Sequence, residues 1–423
     1  MVLNLTVNYQ LSTVNCKLYF GGGFVKEITG GITAAEDFLT AGIRTGIKEE
    51  GLDLGVIYSN HLANVGAVFT TNQAAAAPVK ISRDACDNGL AQALVVNSGN
   101  ANACTGEQGY QDGKKMAKLT AEELELDIKE VLVASTGIIG ELLAMDKIES
   151  GIKKACNSLG KDKNESLARA IMTTDTYKKE RAVEIELAGK KVKLGAVAKG
   201  SGMIEPNMAT MLSFITTDAA ITSELLQQAL TEAVGESFNK ITVDGDQSTN
   251  DTVTVMANGS AGNDLIVKRN QAFEKFLEAL KYLCKELAKD IVKDGEGANK
   301  FVTVKVTGAK TKKQAAKVAR KVANSNLFKT ALFGEDVNWG RIVAAAGASG
   351  VEFELDLLEI ALNGVAILTK GQQEANNMQQ LEEEIKEDEL IFEINLNSGD
   401  KSNKIWTCDL SYKYVEINAE YHT

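Results

Sequence analysis

The chain of 423 residues is acidic, with a formal net charge of −11 at pH 7, 44% hydrophobic residues and 24% charged residues. This length is enough for two or three domains or for one large composite core. A surface that is negative on average repels polyanions, so the composition argues against a nucleic-acid or membrane-surface partner and favours a small polar metabolite.

Metal-ligating residues are scarce in this sequence. The six cysteines form no CxxC pair, and His61 and His422 are the two histidines. Reduced thiols are therefore expected, and a metal site or a serine–histidine triad has few residues to use. No apolar run approaches the roughly 20 residues that cross a bilayer. We predict a cytoplasmic protein with no bound metal or cofactor.

After a weakly charged N-terminal extension at residues 1–27, β-like and helical runs alternate. This alternation predicts a mixed α/β fold of layered sheets flanked by helices. Short buried strands are predicted at 93–96 and 131–134, and a β-hairpin at 183–194 with its turn at Gly189. Glutamates on one face of this hairpin are expected to pair with lysines across the strands. The residues concerned are Glu184, Glu186, Lys191 and Lys193.

The C-terminal half is predicted to be α+β and to form a smaller domain. Apolar residues at helical spacing over 273–291 make Cys284 a core residue. Alanines and valines among the lysines of 310–321 predict a solvated helix face instead of an anion-binding patch. A second hairpin is predicted, with its first strand at 355–362 and its turn at Asn363 and Gly364, which suit a type I′ turn. The stretch 392–396 alternates like a half-buried strand, and the acidic stretch 382–389 is predicted to be a surface helix or loop.

One loop has an unusual composition, KGSGMIEPNMATML at 199–212, and it precedes a strand-like run at 213–217. Two glycines and Pro206 predict a constrained loop that holds Thr210 at the start of a buried strand. A hydroxyl placed beside a strained peptide bond can attack the preceding carbonyl, and hydrolysis of the ester then frees a threonine with its own α-amine. That amine has a pKa of about 7.7–8.0 and can act as general base for the hydroxyl. By spacing alone, a threonine here is more often a simple strand residue.

This loop resembles the self-cleavage motif of the bifunctional glutamate N-acetyltransferase/ornithine acetyltransferase family. The resemblance extends from about Gly30 to the last residue and includes further blocks of the sequence. These blocks are GAVFTTN (66–72), VNSGNANACTG (96–106), STGIIG (135–140), MTTDT (172–176), DGDQSTND (244–251), DGEGA (294–298), GEDVNWGRI (334–342) and INAEYHT (417–423).

The resemblance implies an N-terminal-nucleophile-type self-processing enzyme that cleaves itself between Ala209 and Thr210. Residues 28–209 and 210–423 would become two fragments, which in this family assemble into a heterotetramer of two α and two β chains. The implied reaction moves the acetyl group of N-acetylornithine to glutamate through an acetyl-threonine at Thr210. Thr136 and Gly137 would stabilise the oxyanion. Whether acetyl-CoA is also accepted as a co-substrate is left open.

The family's substrate-binding positions match six residues of this sequence. Lys199 and Thr173 would bind a substrate carboxylate, and Glu296 would bind the side-chain ammonium of ornithine. The matching residues are Thr173, Lys199, Thr210, Glu296, Asn418 and Thr423. The block at 334–342 is interpreted as structural support, and 244–251 lacks the ligand pattern of a calcium loop.

Two other hypotheses stay open at this stage. An amidohydrolase or aminopeptidase of similar fold would resolve the acyl-enzyme with water instead of glutamate. An uncleaved scaffold or binding protein would keep the fold without the chemistry.

Overall fold

The computed structural model describes residues 17–20, 23–205 and 211–420. Ala209, Thr210 and Thr423 lie outside the described residues, and so does most of the extension at 1–27.

The described residues form sixteen β-strands and eleven α-helices. The strands are β1 (Lys17–Phe20), β2 (Gly23–Ile28), β3 (Phe38–Ile43), β4 (Leu54–Phe69), β5 (Leu90–Asn100), β6 (Val131–Ile138), β7 (Lys179–Leu187), β8 (Lys190–Lys199), β9 (Leu212–Thr217), β10 (Thr252–Ala257), β11 (Phe301–Ala309), β12 (Glu359–Leu362), β13 (Val365–Thr369), β14 (Gln372–Gln373), β15 (Glu389–Asn395) and β16 (Lys401–Cys408). The helices are α1 (Ala77–Ala85), α2 (Gly106–Leu124), α3 (Met145–Cys156), α4 (Asn164–Ala170), α5 (Ser223–Gly235), α6 (Gln271–Lys293), α7 (Lys312–Ala323), α8 (Asn326–Phe333), α9 (Trp339–Gly347), α10 (Met378–Glu384) and α11 (Tyr412–Glu420).

The larger sheet mixes strands from both sides of the predicted cleavage site. Its order is β1-β2-β7-β8-β9-β10-β4-β5-β6, with β3 beside β4. β9 runs parallel to β10, whereas β8 and β4 run antiparallel to the strands they flank. β8 and β4 precede residue 210 in the chain, whereas β9 and β10 follow it and lie between them in the sheet. The segments 28–209 and 210–423 therefore share one sheet.

Alternate side chains of the central strands enter different hydrophobic clusters, as the two-residue period of a strand requires. Leu194 and Ala196 of β8 pack with α5 and α6, whereas Val197 packs with Phe214 and α4. Helix α2 packs on β5 and β6, and helix α3 packs on β3 and β4. The protein is therefore a mixed α/β fold with helical layers on the sheet, as predicted. Each fully buried Leu or Phe in these layers contributes about 1.5–3 kcal/mol.

The smaller sheet belongs to the C-terminal α+β region. Its order is β14-β13-β12-β15-β11-β16, and its core includes residues from α7, α8 and α9. β16 also joins the two sheets, because Trp406 and Cys408 enter the core of the larger sheet and the Thr242 N–H donates to the Trp406 carbonyl at 2.9 Å.

Several predicted elements are present. The hairpin at 183–194 is formed by β7 and β8, with Gly189 in its turn at φ 81°. Cys284 is fully buried in α6. The second hairpin turns at Asn363 and Gly364, which both have positive φ. No helix among the described residues is long and apolar enough to span a membrane.

Other predicted elements differ in detail. The second hairpin's first strand begins at Glu359, because Leu355–Leu357 forms a 3₁₀ turn. In the first hairpin, Lys191 pairs diagonally with Glu184 at 3.5 Å, and Lys193 instead reaches Glu36 at 2.8 Å. The solvated face predicted for 310–321 also has an exception. The guanidinium of Arg320 donates to the carbonyls of Asn239 and Ile241, and it therefore joins α7 to the segment that packs on the larger sheet.

Candidate active site

Six of the predicted site residues line one cavity of about 190 Å³, which lies at the ends of the central strands of the larger sheet. There Lys199, the last residue of β8, pairs with Leu212, and Leu212 pairs with Thr252 at the start of β10. The strand ends therefore bring together parts of the chain that are distant in sequence. The six residues are Thr136, Gly137, Thr173, Lys199, Glu296 and Asn418.

Thr136 and Gly137 lie at the end of β6, beside β5. A strand was predicted at 131–134 from its apolar residues. β6 continues to Thr136 and Gly137 because these residues pair with Ser98 and Gly99 of β5. Gly137 has φ 131°, and a Cβ at this position would lie 2.3 Å from the carbonyl carbon of Gly99. This close approach requires glycine and fixes the backbone at the cavity wall.

Lys199 provides a buried positive charge at the cavity. Its ammonium donates to the hydroxyl of Thr173 at 2.8 Å and lies 3.5 Å from the hydroxyl of Thr136. Burial lowers the pKa of Lys199, while the nearby carboxylate of Asp175 acts in the opposite direction. A cation that already holds two hydroxyls is suited to bind a carboxylate through charge-assisted hydrogen bonds.

Glu296 provides the opposite charge. It is 7% exposed and accepts a hydrogen bond from the Asn418 amide at 2.7 Å. Gly202 packs directly against it, because a Cβ on Gly202 would lie 2.4 Å from the Glu296 carboxyl carbon. Tyr414, one turn before Asn418 in α11, also lines the cavity. This carboxylate can bind an ammonium group, and its charge acts on the pKa of Lys199.

A buried ion cluster supports the lysine side of the cavity. Asp175 accepts hydrogen bonds from the N–H groups of Thr173 at 3.0 Å and Gly200 at 2.8 Å. Its carboxylate also pairs with Lys179 at 2.7 Å, and Lys179 contacts Asp294. Burial opposes ionisation of Asp175, but the ammonium groups of Lys179 and Lys199 outweigh this effect and hold its pKa below the usual range.

The loop that leads to the predicted cleavage site is held by Asp244. Its carboxylate accepts hydrogen bonds from the N–H groups of Met203 at 2.7 Å and Ile204 at 2.8 Å. Burial raises the pKa of Asp244 to about 6, although these hydrogen bonds oppose the rise. No group of three or more His, Cys, Asp or Glu side chains suited to a metal ion occurs in the part of the chain that the structure describes.

The block at 334–342 lies away from the cavity lining. Asn338 caps α9 at the Arg341 N–H, and the Arg341 guanidinium donates to the Leu327 carbonyl at 2.7 Å. These contacts are those of structural support.

Several residues that shape the site have no distinctive signal in the sequence. Asp175, Asp244 and Asp294 lie inside blocks that carried the family resemblance, but their spacing indicates no role. Lys179 begins a strand and has no sequence signal at all. Thr210, Ala209 and Thr423 are outside the described residues, and the chemical roles assigned to the six lining residues stay predictions.

As a chemical arrangement, the cavity presents a cation, a carboxylate and hydroxyl groups within a small volume. Opposite charges on its walls suit a zwitterionic amino acid, and the start of β9 brings the chain that follows Thr210 to the same place.

Comparison with known proteins identifies relatives along almost the whole chain. The model of the ArgJ family matches residues 39–423. The arginine biosynthesis bifunctional protein ArgJ of Caldanaerobacter subterraneus subsp. tengcongensis is 47% identical over 400 residues, which is 94% of this chain and 99% of that protein. The protein of the same name from Listeria monocytogenes serovar 1/2a is 48% identical over 397 residues, again 94% of this chain and 99% of that protein.

A solved structure of the ornithine acetyltransferase of Mycobacterium tuberculosis, complexed with ornithine, aligns with 34% identity. The alignment has a TM-score of 0.41 and covers 45% of this chain and 100% of that chain.

Proposed function

The chain belongs to the ArgJ family and is an acetyltransferase of arginine biosynthesis, and we propose that Thr210, freed by self-cleavage after Ala209, carries the acetyl group. The donor is N-acetylornithine and the acceptor is glutamate. One observation supports this proposal most strongly: Lys199 and Glu296 place opposite charges in one cavity that is also lined by Met211, the residue after Thr210.

The two charges orient the donor in the cavity. The α-carboxylate of N-acetylornithine binds Lys199 and Thr173, and its free side-chain ammonium binds Glu296, which Asn418 holds by a hydrogen bond. The acetylated α-nitrogen then lies between the two ends of the substrate. Glutamate occupies the same site after ornithine leaves, with a carboxylate at Lys199.

The chemistry follows from an N-terminal threonine. The Thr210 hydroxyl attacks the acetyl carbonyl, and the α-amine of Thr210 takes the hydroxyl proton. Thr136 and Gly137 donate hydrogen bonds to the oxyanion, an interaction worth about 2.7–4 kcal/mol for each donor. The C–N bond breaks, ornithine leaves with a proton on its nitrogen, and the amine of glutamate takes the acetyl group from Thr210.

The proposed enzyme acts on small molecules, works in the cytoplasm and needs no bound cofactor. Two α and two β fragments form a heterotetramer. Acetyl-CoA is a second donor to be tested, by following glutamate acetylation with acetyl-CoA as the sole donor.

Incubation with N-acetylornithine, with and without glutamate, tests the proposed function. N-Acetylglutamate and ornithine in equal amounts, formed only when glutamate is present, are the expected result. Acetate released at the same rate with or without glutamate would instead identify an amidohydrolase, and no turnover of either kind would indicate a binding protein.

A further inference from the structure

Three short segments carry the residues that bind the two ends of the donor in the proposed function. Two of them present the carboxylate site, and the third presents the ammonium site. Each segment is hydrogen-bonded to the other two, so that they form a closed triangle. The segments are 173–176 with Thr173, 199–202 with Lys199, and 294–296 with Glu296.

The first side of the triangle joins the two segments of the carboxylate site. The carboxylate of Asp175 accepts the N–H of Gly200, the residue after Lys199, at 2.8 Å. It also accepts the N–H of Thr173 at 3.0 Å. The Asp175 side chain is completely buried. One buried carboxylate therefore holds the backbone from which both Thr173 and Lys199 extend.

The second side joins the segment of Lys199 to that of Glu296. The hydroxyl of Ser201 donates to the carbonyl of Asp294 at 2.6 Å. The carbonyl of Ser201 accepts the N–H of Glu296 at 3.1 Å. Ser201 is completely buried. The backbone of Glu296 is therefore held directly to the segment that carries Lys199.

The third side closes the triangle through Asp294. Its carboxylate accepts the N–H of Thr176 at 3.1 Å and pairs with the ammonium of Lys179, which also pairs with Asp175 at 2.7 Å. The three charged side chains are almost completely buried. Buried polar networks whose members are all bonded hold the attached groups in one arrangement. The distance between the two substrate-binding charges is thus fixed before a substrate binds.

We propose that this triangle makes the site selective for the length of the donor's side chain, with Asp294 and Ser201 as positioning residues. A donor whose carboxylate binds Lys199 must place its side-chain ammonium at Glu296, and a fixed distance suits one chain length. The side chain of lysine is one methylene longer than that of ornithine. One methylene changes the selectivity of an enzyme by about 10–200-fold. This inference rests on the donor orientation given under the proposed function.

The ratio of kcat/KM for N-acetylornithine to that for Nα-acetyllysine, with glutamate as acceptor, tests this role. We expect the wild type to prefer N-acetylornithine by at least about 10-fold. Asp294→Asn removes the charge that binds Lys179, and Ser201→Ala removes the hydroxyl of the second side. In each variant we expect the preference to fall by at least about threefold. The fall is expected chiefly as a higher KM for N-acetylornithine, because Glu296 is no longer held at one distance.

Asp290→Asn is the matched control for loss of stability. Asp290 also lies on α6, and its carboxylate pairs with Arg181 of β7 at 2.7 Å, so this variant breaks another ion pair between the same helix and the same strand. Arg181 belongs to none of the three segments. We therefore expect a lower melting temperature with the donor preference of the wild type.

An unchanged preference in both Asp294→Asn and Ser201→Ala would overturn the inference. An equal fall in Asp290→Asn would also overturn it, and so would a wild type that uses both donors equally well. Failure of the proposed function has a different appearance: the wild type then transfers an acetyl group from neither donor to glutamate.

Discussion

At the scale of single residues, Lys199 is the cation that the end of β8 places at the cavity. Its ammonium contacts Thr173 and Thr136 and lies near Asp175, so its charge is supported although it is buried. A hydrogen bond to a charged group contributes about 1.5–3 kcal/mol.

Lys199→Met is therefore expected to lower kcat/KM for N-acetylornithine by about 10–200-fold, the kinetic equivalent of that free energy. Lys199→Arg retains the charge in a planar group and is expected to lose less activity. Steady-state kinetics of both variants measure the effect. Equal activity of Lys199→Met and the wild type would remove Lys199 from substrate binding.

Asp244 predicts a pH dependence of stability. Its pKa is raised by burial to about 6 in the folded protein, against about 3.9 in the unfolded chain. Between these values the folded state binds more protons than the unfolded state, so Asp244 makes the free energy of unfolding fall as pH rises. Below about pH 4 and above about pH 6 its contribution is constant.

Urea denaturation of the wild type and Asp244→Asn from pH 3.5 to 8 measures this contribution. We expect the stability of the wild type relative to the variant to decrease between about pH 4 and 6 and to level off above pH 6. A difference that does not change with pH would show that folding leaves the pKa of Asp244 at its ordinary value, and a difference that increases with pH would show that folding lowers this pKa; either result would contradict the prediction.

The residues of the site differ in how far the sequence alone could reveal them. Lys199 and Glu296 were predicted only through the family resemblance, since a single charge in a loop has no distinctive spacing. Lys179 could not be predicted, because its significance depends on complete burial and on neighbours from a loop and from the end of a helix.

Secondary-structure elements hold the site together through buried charge. Lys179 at the start of β7 joins Asp175, in the loop before it, to Asp294 at the end of α6. The three side chains are almost completely buried. Removing the cation from such a cluster leaves two buried carboxylates and typically costs about 3–5 kcal/mol.

Lys179→Met is expected to destabilise the protein by about this amount in urea denaturation. Lys191→Met on β8 is the matched control, because the Lys191 side chain is 73% exposed where it pairs with Glu184, and surface pairs contribute about 0–1 kcal/mol. Similar, small effects of the two substitutions would contradict the structural role of the ion cluster.

Elements with a clear apolar period were predictable, and their ends were not. The hairpin of β7 and β8 was predicted from the alternation of apolar and charged side chains along its strands. β6 extends to Ile138 because it pairs with β5, and this pairing leaves no trace in the hydrophobicity of the sequence. Leu355 and Leu357 likewise alternate with polar residues, yet local hydrogen bonds form a 3₁₀ turn there.

At the scale of the whole molecule, the larger sheet explains how a cleaved chain can remain one protein. β9 and β10 are hydrogen-bonded between β8 and β4, so separation of the two fragments would break two strand pairings, β8 with β9 and β10 with β4, and expose their edges. The order of the strands could not be predicted from the sequence, because neighbouring strands in the sheet are often distant along the chain.

The mass of the active protein under denaturing conditions, after purification as one peak by native gel filtration, tests the central claim most directly. We predict two polypeptides, residues 1–209 and residues 210–423 with Thr210 as N-terminal residue, and one unbroken chain for Thr210→Ala. A fully active preparation that consists of a single unbroken polypeptide would contradict the mechanism.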